Sequence, residues 1–284
     1  MNLSLDTPTA LEYFRSLVQS DQDFPLLEAA VSLAQDEYPL LDVQQVLAEV
    51  DQLLVRVKRR IPADAPPLQR LRVLNQFFFR DLDFGGNRND YYDPDNSYVS
   101  VMLRSRRGIP ISLAVLWLEL AQGIGLSACG VGFPGHFMVK VILPKGQVVI
   151  DPFTGLSLGR EELAARLEPF QARHIAHSAD AGIPLGLYLQ AAASRDIIER
   201  MLRNLKEVHK TQEDWLMLVA VLDRLLVLLP HSWPDYRDRG LARAELGNTQ
   251  HAVADLQCYL ANTENLADVD AITKRVVELR SRGI

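Results

Sequence analysis

His136 and Asp151 are the residues with the clearest chemical potential in this chain. An imidazole followed at hairpin distance by a carboxylate is a pair in which the carboxylate orients the ring and the ring moves protons. His136 stands in Phe133-Pro-Gly-His136 and Asp151 in Val149-Ile-Asp-Pro152. Covalent chemistry would also need a nucleophile, which is best placed at a helix N-terminus. Arg107-Gly-Ile-Pro-Ile-Ser112 leads into such a helix, and its hydroxyl is Ser112. Ser112 has a second reading, a serine that satisfies free N–H groups in the first helical turn. Cys129 reads as a small packing residue on a strand, and Cys258 as packing on a helix. His174 and His177 could share one helical face, but no third ligand is recognisable, so no metal and no cofactor are expected. Gly85-Gly86 lacks the strand-to-helix context of a phosphate loop.

Several elements must position these groups. Residues 111–124 read as a helix, with Leu113, Leu116, Trp117 and Leu120 on one stripe. Pro110 suits its first turn, and Gly123 and Gly125 end it. Residues 127–133, 136–143 and 147–150 read as short strands, the last two joined through Pro144-Lys-Gly146. If these two pair antiparallel, His136 opens one strand where Asp151 follows the end of the other. The two side chains can then meet.

The first 85 residues or so read as helices, at 25–34, 40–59 and, after Pro66-Pro67, 68–82. A polar, turn-rich loop through Asp93-Pro-Asp-Asn96 precedes the core. The C-terminal third repeats. At an offset of 34 residues Val219 matches Val253, Leu222 matches Leu256 and Leu226 matches Leu260. Gly240, Gly247 and Ala252 occupy small-residue positions of the second copy, whereas Lys206 and Leu218 stand where the first copy should be small. Residues 271–280 would cap the stack. Trp215 and Trp233 flank repeat helices and read as packing.

The stretch from Tyr91 to Gly155 resembles the transglutaminase-like core of a bacterial family of sirB type, which joins this core to tetratricopeptide repeats. The pieces that carry the resemblance are Tyr91-Tyr-Asp-Pro94 with Asn96-Ser-Tyr98, Arg107-Gly-Ile-Pro-Ile-Ser-Leu-Ala114, Gly132-Phe-Pro-Gly-His-Phe137 and Asp151-Pro-Phe153. The resemblance implies an α+β fold: a transglutaminase-like, papain-like core with a small antiparallel sheet, an N-terminal helical layer and C-terminal tetratricopeptide-like helices. It also implies catalytic positions at His136 and Asp151, and ligand contacts from Asn96, Arg107, Phe133 and Gly135. Aligned on Gly-x-Cys-x-x-x-Ala, however, Gly108-x-Pro110-x-x-x-Ala114 has proline where the cysteine belongs, and proline has no nucleophilic atom.

Composition bounds the rest. A net charge of -6 is unfavourable for a duplex nucleic-acid binder. No apolar run reaches the roughly 18 residues of a membrane span, and the first residues lack a basic start followed by an apolar run. Two distant cysteines make no disulfide framework. A cytoplasmic protein is expected, with helical layer and core over 1–180 and repeats over 181–284. The expected function is protein–protein interaction or regulation through the cleft or the repeats. The alternative is a hydrolase or acyltransferase using His136 and Asp151 with Ser112 or water.

Overall fold

The computed structural model describes residues 8–20, 24–175, 184–264 and 267–282. Four helices open the chain: α1 (Ala10–Leu17), α2 (Leu26–Ser32), α3 (Val43–Lys58) and α4 (Pro67–Asn75). Thr9 and Glu12 form a reciprocal capping box on α1, and the Asp42 carboxylate accepts the Gln45 amide of α3. A π-helical turn, Gln76–Asp81, continues α4. A two-residue strand β1 (Gly85–Gly86) follows, then α5 (Val99–Ser105), and β2 (Arg107–Gly108) pairs parallel with β1.

The helix expected at 111–124 is α6 (Pro110–Gly123), with Pro110 in its first turn. Leu113, Leu116, Trp117 and Leu120 are fully buried, and so are Ala114 and Ala121 around the rest of its circumference. A helix apolar on all sides belongs at the centre of a fold, and α6 is packed by α2, α3, α5 and the sheet. Its end is a Schellman motif: Gly125, at φ +77°, donates to Gln122 and Leu126 donates to Ala121.

The sheet runs β3 (Ala128–Val131), β4 (Met138–Leu143), β5 (Gly146–Ile150), β6 (Ser157–Leu158), all antiparallel neighbours in that order. Leu143 pairs with Gly146, so Pro144 and Lys145 make the hairpin turn. β3 and β4 are shorter than the expected 127–133 and 136–143, and β5 is one residue longer than the expected 147–150. Residues 132–137 leave the ladder, and His136 therefore stands in a loop rather than on a strand.

Helices α7 (Arg160–Ile175), α8 (Leu185–Tyr188), α9 (Ser194–Thr211), α10 (Trp215–Leu228), α11 (Trp233–Glu245), α12 (Thr249–Asn262) and α13 (Val269–Arg282) complete the chain. The boundary expected at 180/181 lies outside the described residues. From α9 to α13 each helix packs on the next. The first pair also belongs to the main core: Ile198, Met201, Leu202, Leu222 and Leu225 are buried with α6, α2 and α1. The second pair and α13 bury a separate cluster around Leu256, Tyr259 and Val276, with Trp233 against it. Gly240 is small because a Cβ there would lie 2.8 Å from Leu256. Lys206, at the matching position of the first copy, is buried between Asp235 and Asp238 at 2.8 and 2.6 Å. An ion pair replaces close apolar packing at that joint.

Candidate functional site

Two tight turns bring the candidate pair together. In the first, the His136 amide donates to the Phe133 carbonyl at 3.0 Å across Pro134-Gly135, with Gly135 at φ +66°. Proline then glycine at the two central positions suits a type II turn, and this signal was already spelled in the sequence. In the second, Asp151 follows β5, its carboxylate accepts the Phe153 amide at 2.9 Å and its carbonyl accepts the Gly155 amide at 2.8 Å. Since Val139 pairs with Ile150, both turns lie at the same end of the β4–β5 hairpin.

His136 Nε2 and Asp151 Oδ1 are 2.8 Å apart. Asp151 is 2% exposed and His136 22%. Burial alone would push the Asp151 carboxyl up. The hydrogen bond and charge of His136, the Phe153 amide and the Arg166 guanidinium outweigh it and hold the group at about 2. An ionised carboxylate only accepts, so Nε2 carries the proton in this pair. Whenever the ring is neutral, Nδ1 is a lone-pair acceptor on a partly exposed side chain. That arrangement is competent to take a proton from water or a ligand.

Support for the imidazole comes from a distance in sequence. Arg200 of α9 donates to the His136 carbonyl at 2.8 Å and to the Phe133 carbonyl at 3.4 Å, and it lies over the Phe137 ring at 5.6 Å. The Ala192 amide donates to Gly130 on β3. Arg200 was not among the expected site residues, and no local pattern singles it out, because its partners are more than 60 residues away.

The helix start is built differently. Ser112 is completely buried, and its hydroxyl lies 2.6 Å from the Asn96 carbonyl and 3.0 Å from the Ile109 carbonyl. It has no hydrogen bond to His136 among the described residues, so the structure does not assemble a serine–histidine pair. Pro110 is buried at the position aligned with a cysteine. Cys129 is half-buried on β3, and burial pushes its thiol up, the opposite of what activates a thiolate. Cys258 is likewise raised, chiefly by burial.

Of the expected ligand contacts, Asn96 and Phe133 are buried and serve the fold. The Asn96 side chain donates to the Asp90 carbonyl at 2.6 Å and accepts from the Asn87 side-chain amide at 3.0 Å, which closes the loop on itself, while its carbonyl accepts the Ser112 hydroxyl of α6. The Phe133 ring packs with Val131, Met138 and Leu167. Gly135 has the Phe170 ring against it, leaving no room for a Cβ. Arg107 lines a cavity, beside Phe153 and Gly155. No cluster of three His, Cys, Asp or Glu exists among the described residues, and His177 lies outside them. Among the described residues no helix is long and apolar enough to cross a membrane.

A central helix that starts beside a turn-rich loop, followed by a hairpin carrying a His–Asp pair, is the arrangement the sequence resemblance implied. Residues 44–203 match the transglutaminase-like superfamily, and residues 205–276 match a tetratricopeptide repeat. The chain belongs to the transglutaminase-like superfamily. It is 35% identical over 265 residues to a UPF0162 protein of Xylella fastidiosa, covering 93% of each chain. A UPF0162 protein of Vibrio cholerae is 25% identical, over 86% of this chain and 90% of its own. F-box only protein 21 of Homo sapiens is 25% identical over 78% of this chain and 38% of its own length. No solved structure gives a significant match. Within this superfamily fold the His136–Asp151 pair stands at the hairpin end and Pro110 at the start of the central helix.

Proposed function

We propose that this chain is a non-catalytic transglutaminase-like protein that acts in protein–protein interaction or regulation through its cleft and its tetratricopeptide-like helices. The observation that supports this most directly is Pro110, buried in the first turn of α6 where the aligned pattern has cysteine. Acyl transfer needs an atom that attacks the carbonyl and then carries the acyl group. Proline offers none, and the nearby hydroxyl of Ser112 is committed to backbone carbonyls. On this reading His136 and Asp151 order the loop between β3 and β4, with Arg200 fixing that loop to the repeats.

A second reading is carried by the pair itself, held at 2.8 Å on a partly exposed imidazole whose Nδ1 has no hydrogen bond among the described residues. It makes the protein a water-using hydrolase in which His136 is the general base and Asp151 its orienting group. Labelling separates the two readings. Pure protein is treated with a fluorophosphonate and with iodoacetamide, and turnover is followed on amide and ester substrates, for wild type and His136→Ala. We expect no stoichiometric serine labelling and no turnover above background that His136→Ala abolishes. Hydrolysis that disappears in His136→Ala while the fold persists would establish the enzyme.

A further inference from the structure

A cavity of about 420 Å³ lies behind the turn that carries Asp151. Its walls come from the π-helical turn, β1, the loop after it, β2 and the Phe153–Gly155 segment. Three arginines line it, Arg80, Arg88 and Arg107, against a single carboxylate, Asp83. Asp83 is already used: Arg107 binds its carboxylate at 2.6 Å and also its carbonyl. Arg80 and Arg88 make no ion pair among the described residues. A cavity with two uncompensated guanidinium groups is unusual in a chain whose net charge is -6. The backbone does not supply a phosphate loop here. The amides of Gly85, Gly86 and Asn87 are consumed by the carbonyls of Arg106, Phe153 and Gly108. Recognition therefore falls to the arginine side chains, whose planar forks match carboxylate and phosphate oxygens. The strand can approach the wall because Gly86 has no Cβ, which would lie 2.2 Å from the Phe153 ring. Short π-helical segments such as Gln76–Asp81, which carries Arg80, occur often at functional sites.

We propose that this cavity binds a small polyanion, a phosphate ester or a di- or tricarboxylate, through Arg80 and Arg88. Its volume is that of a small-molecule site. The test reads anion binding directly and needs no protein partner, so it stands or falls apart from the function proposed above. The test is calorimetric and thermal titration of the full chain with inorganic phosphate and with citrate, each against sodium chloride at the same ionic strength. The comparison protein is the double variant Arg80→Gln, Arg88→Gln; both side chains are exposed, so the fold should persist. Saturable binding is expected for at least one probe, with affinity in the variant reduced at least about ten-fold, equivalent to about 1.4 kcal/mol. Binding of phosphate alone assigns a phosphate ester, and of citrate alone a polycarboxylate. No binding beyond the chloride control, or equal binding in a folded variant, overturns the proposal.

Discussion

The start of α6 and the open end of the β4–β5 hairpin are the two halves of one candidate site, and they are built to opposite designs. At the hairpin, a buried carboxylate, a partly exposed imidazole and two arginines from other elements form a connected charged network. At the helix start, a buried proline and a buried hydroxyl bonded to backbone carbonyls leave nothing reactive facing outward. On the non-catalytic function proposed above, the hairpin pair orders its loop, and the contrast between the two halves is what tests that reading. The hairpin half is tied to α9 through Arg200, whereas the helix half is held by α6 and the loop before it.

The largest effect should come from removing that tie. Deleting residues 194–284 takes away α9 and with it Ile198, Met201, Leu202 and Leu205, which are buried against the main core. The remaining fragment should aggregate, since several large apolar side chains would lose their cover. Deleting only 233–284 removes the separate cluster around Leu256 and keeps α9 and α10. That fragment should stay folded, as read by circular dichroism and size exclusion. A monomeric, heat-stable 1–193 fragment would show that the hairpin needs no support from the repeats.

The next effect is electrostatic. Asp151 is held at about 2, below its ordinary value of 3.8, by the groups around it. A depressed carboxyl contributes stability that is fully present above its unfolded value and is lost as pH falls towards its folded one. Asp151→Asn should therefore cost about 2 kcal/mol at pH 7, from a shift of somewhat under two units. The gap from wild type should close between about pH 4 and pH 2. Urea unfolding across that range measures it. A gap that does not change with pH would mean that the carboxylate's charge is not what holds the hairpin end.

The contrast between the two halves also explains what could be read from the sequence. Helix α6 was legible because fourteen residues with a proline at one end and glycines at the other leave few alternatives. The hairpin was legible because its turn and its flanking strands are close in sequence, and that alone placed His136 near Asp151. The two-residue ladders β1–β2 and β5–β6 were not legible, because two residues show no period. Asn96 was expected to meet a ligand, and the structure buries its side chain against Asp90 and Asn87, contacts that no local pattern spells. Arg200 and Lys206 escaped for the same reason. A charged residue on an amphipathic helix looks solvated until the partner that buries it is known.

A smaller effect tests the committed hydroxyl. Ser112→Ala removes a buried donor shared between the Asn96 and Ile109 carbonyls. Both carbonyls keep a backbone donor, Ile109 for Asn96 and Leu113 for Ile109. The loss should be about 1 kcal/mol, the usual net worth of one hydrogen bond. Chemical unfolding gives the figure, and a variant as stable as wild type would free the hydroxyl for another role.

The smallest stability effect, and the sharpest test of the comparison, is Pro110→Cys. Proline in the first helical turn has no amide hydrogen bond to lose, so the change removes only its restriction of the unfolded chain, worth under about 1 kcal/mol. The variant should fold. Its chemistry is the informative part, since the substitution restores the thiol that the aligned pattern contains. If the helix start has closed as the burial of Pro110 indicates, the new thiol will be slow towards iodoacetamide at neutral pH. Its rate will then be the same in Pro110→Cys and in Pro110→Cys combined with His136→Ala. If the hairpin imidazole still reaches that position, His136 will draw off the thiol proton and alkylation will be fast. The second mutation would slow it, and the two halves would prove to be one working site lacking a single sulfur atom.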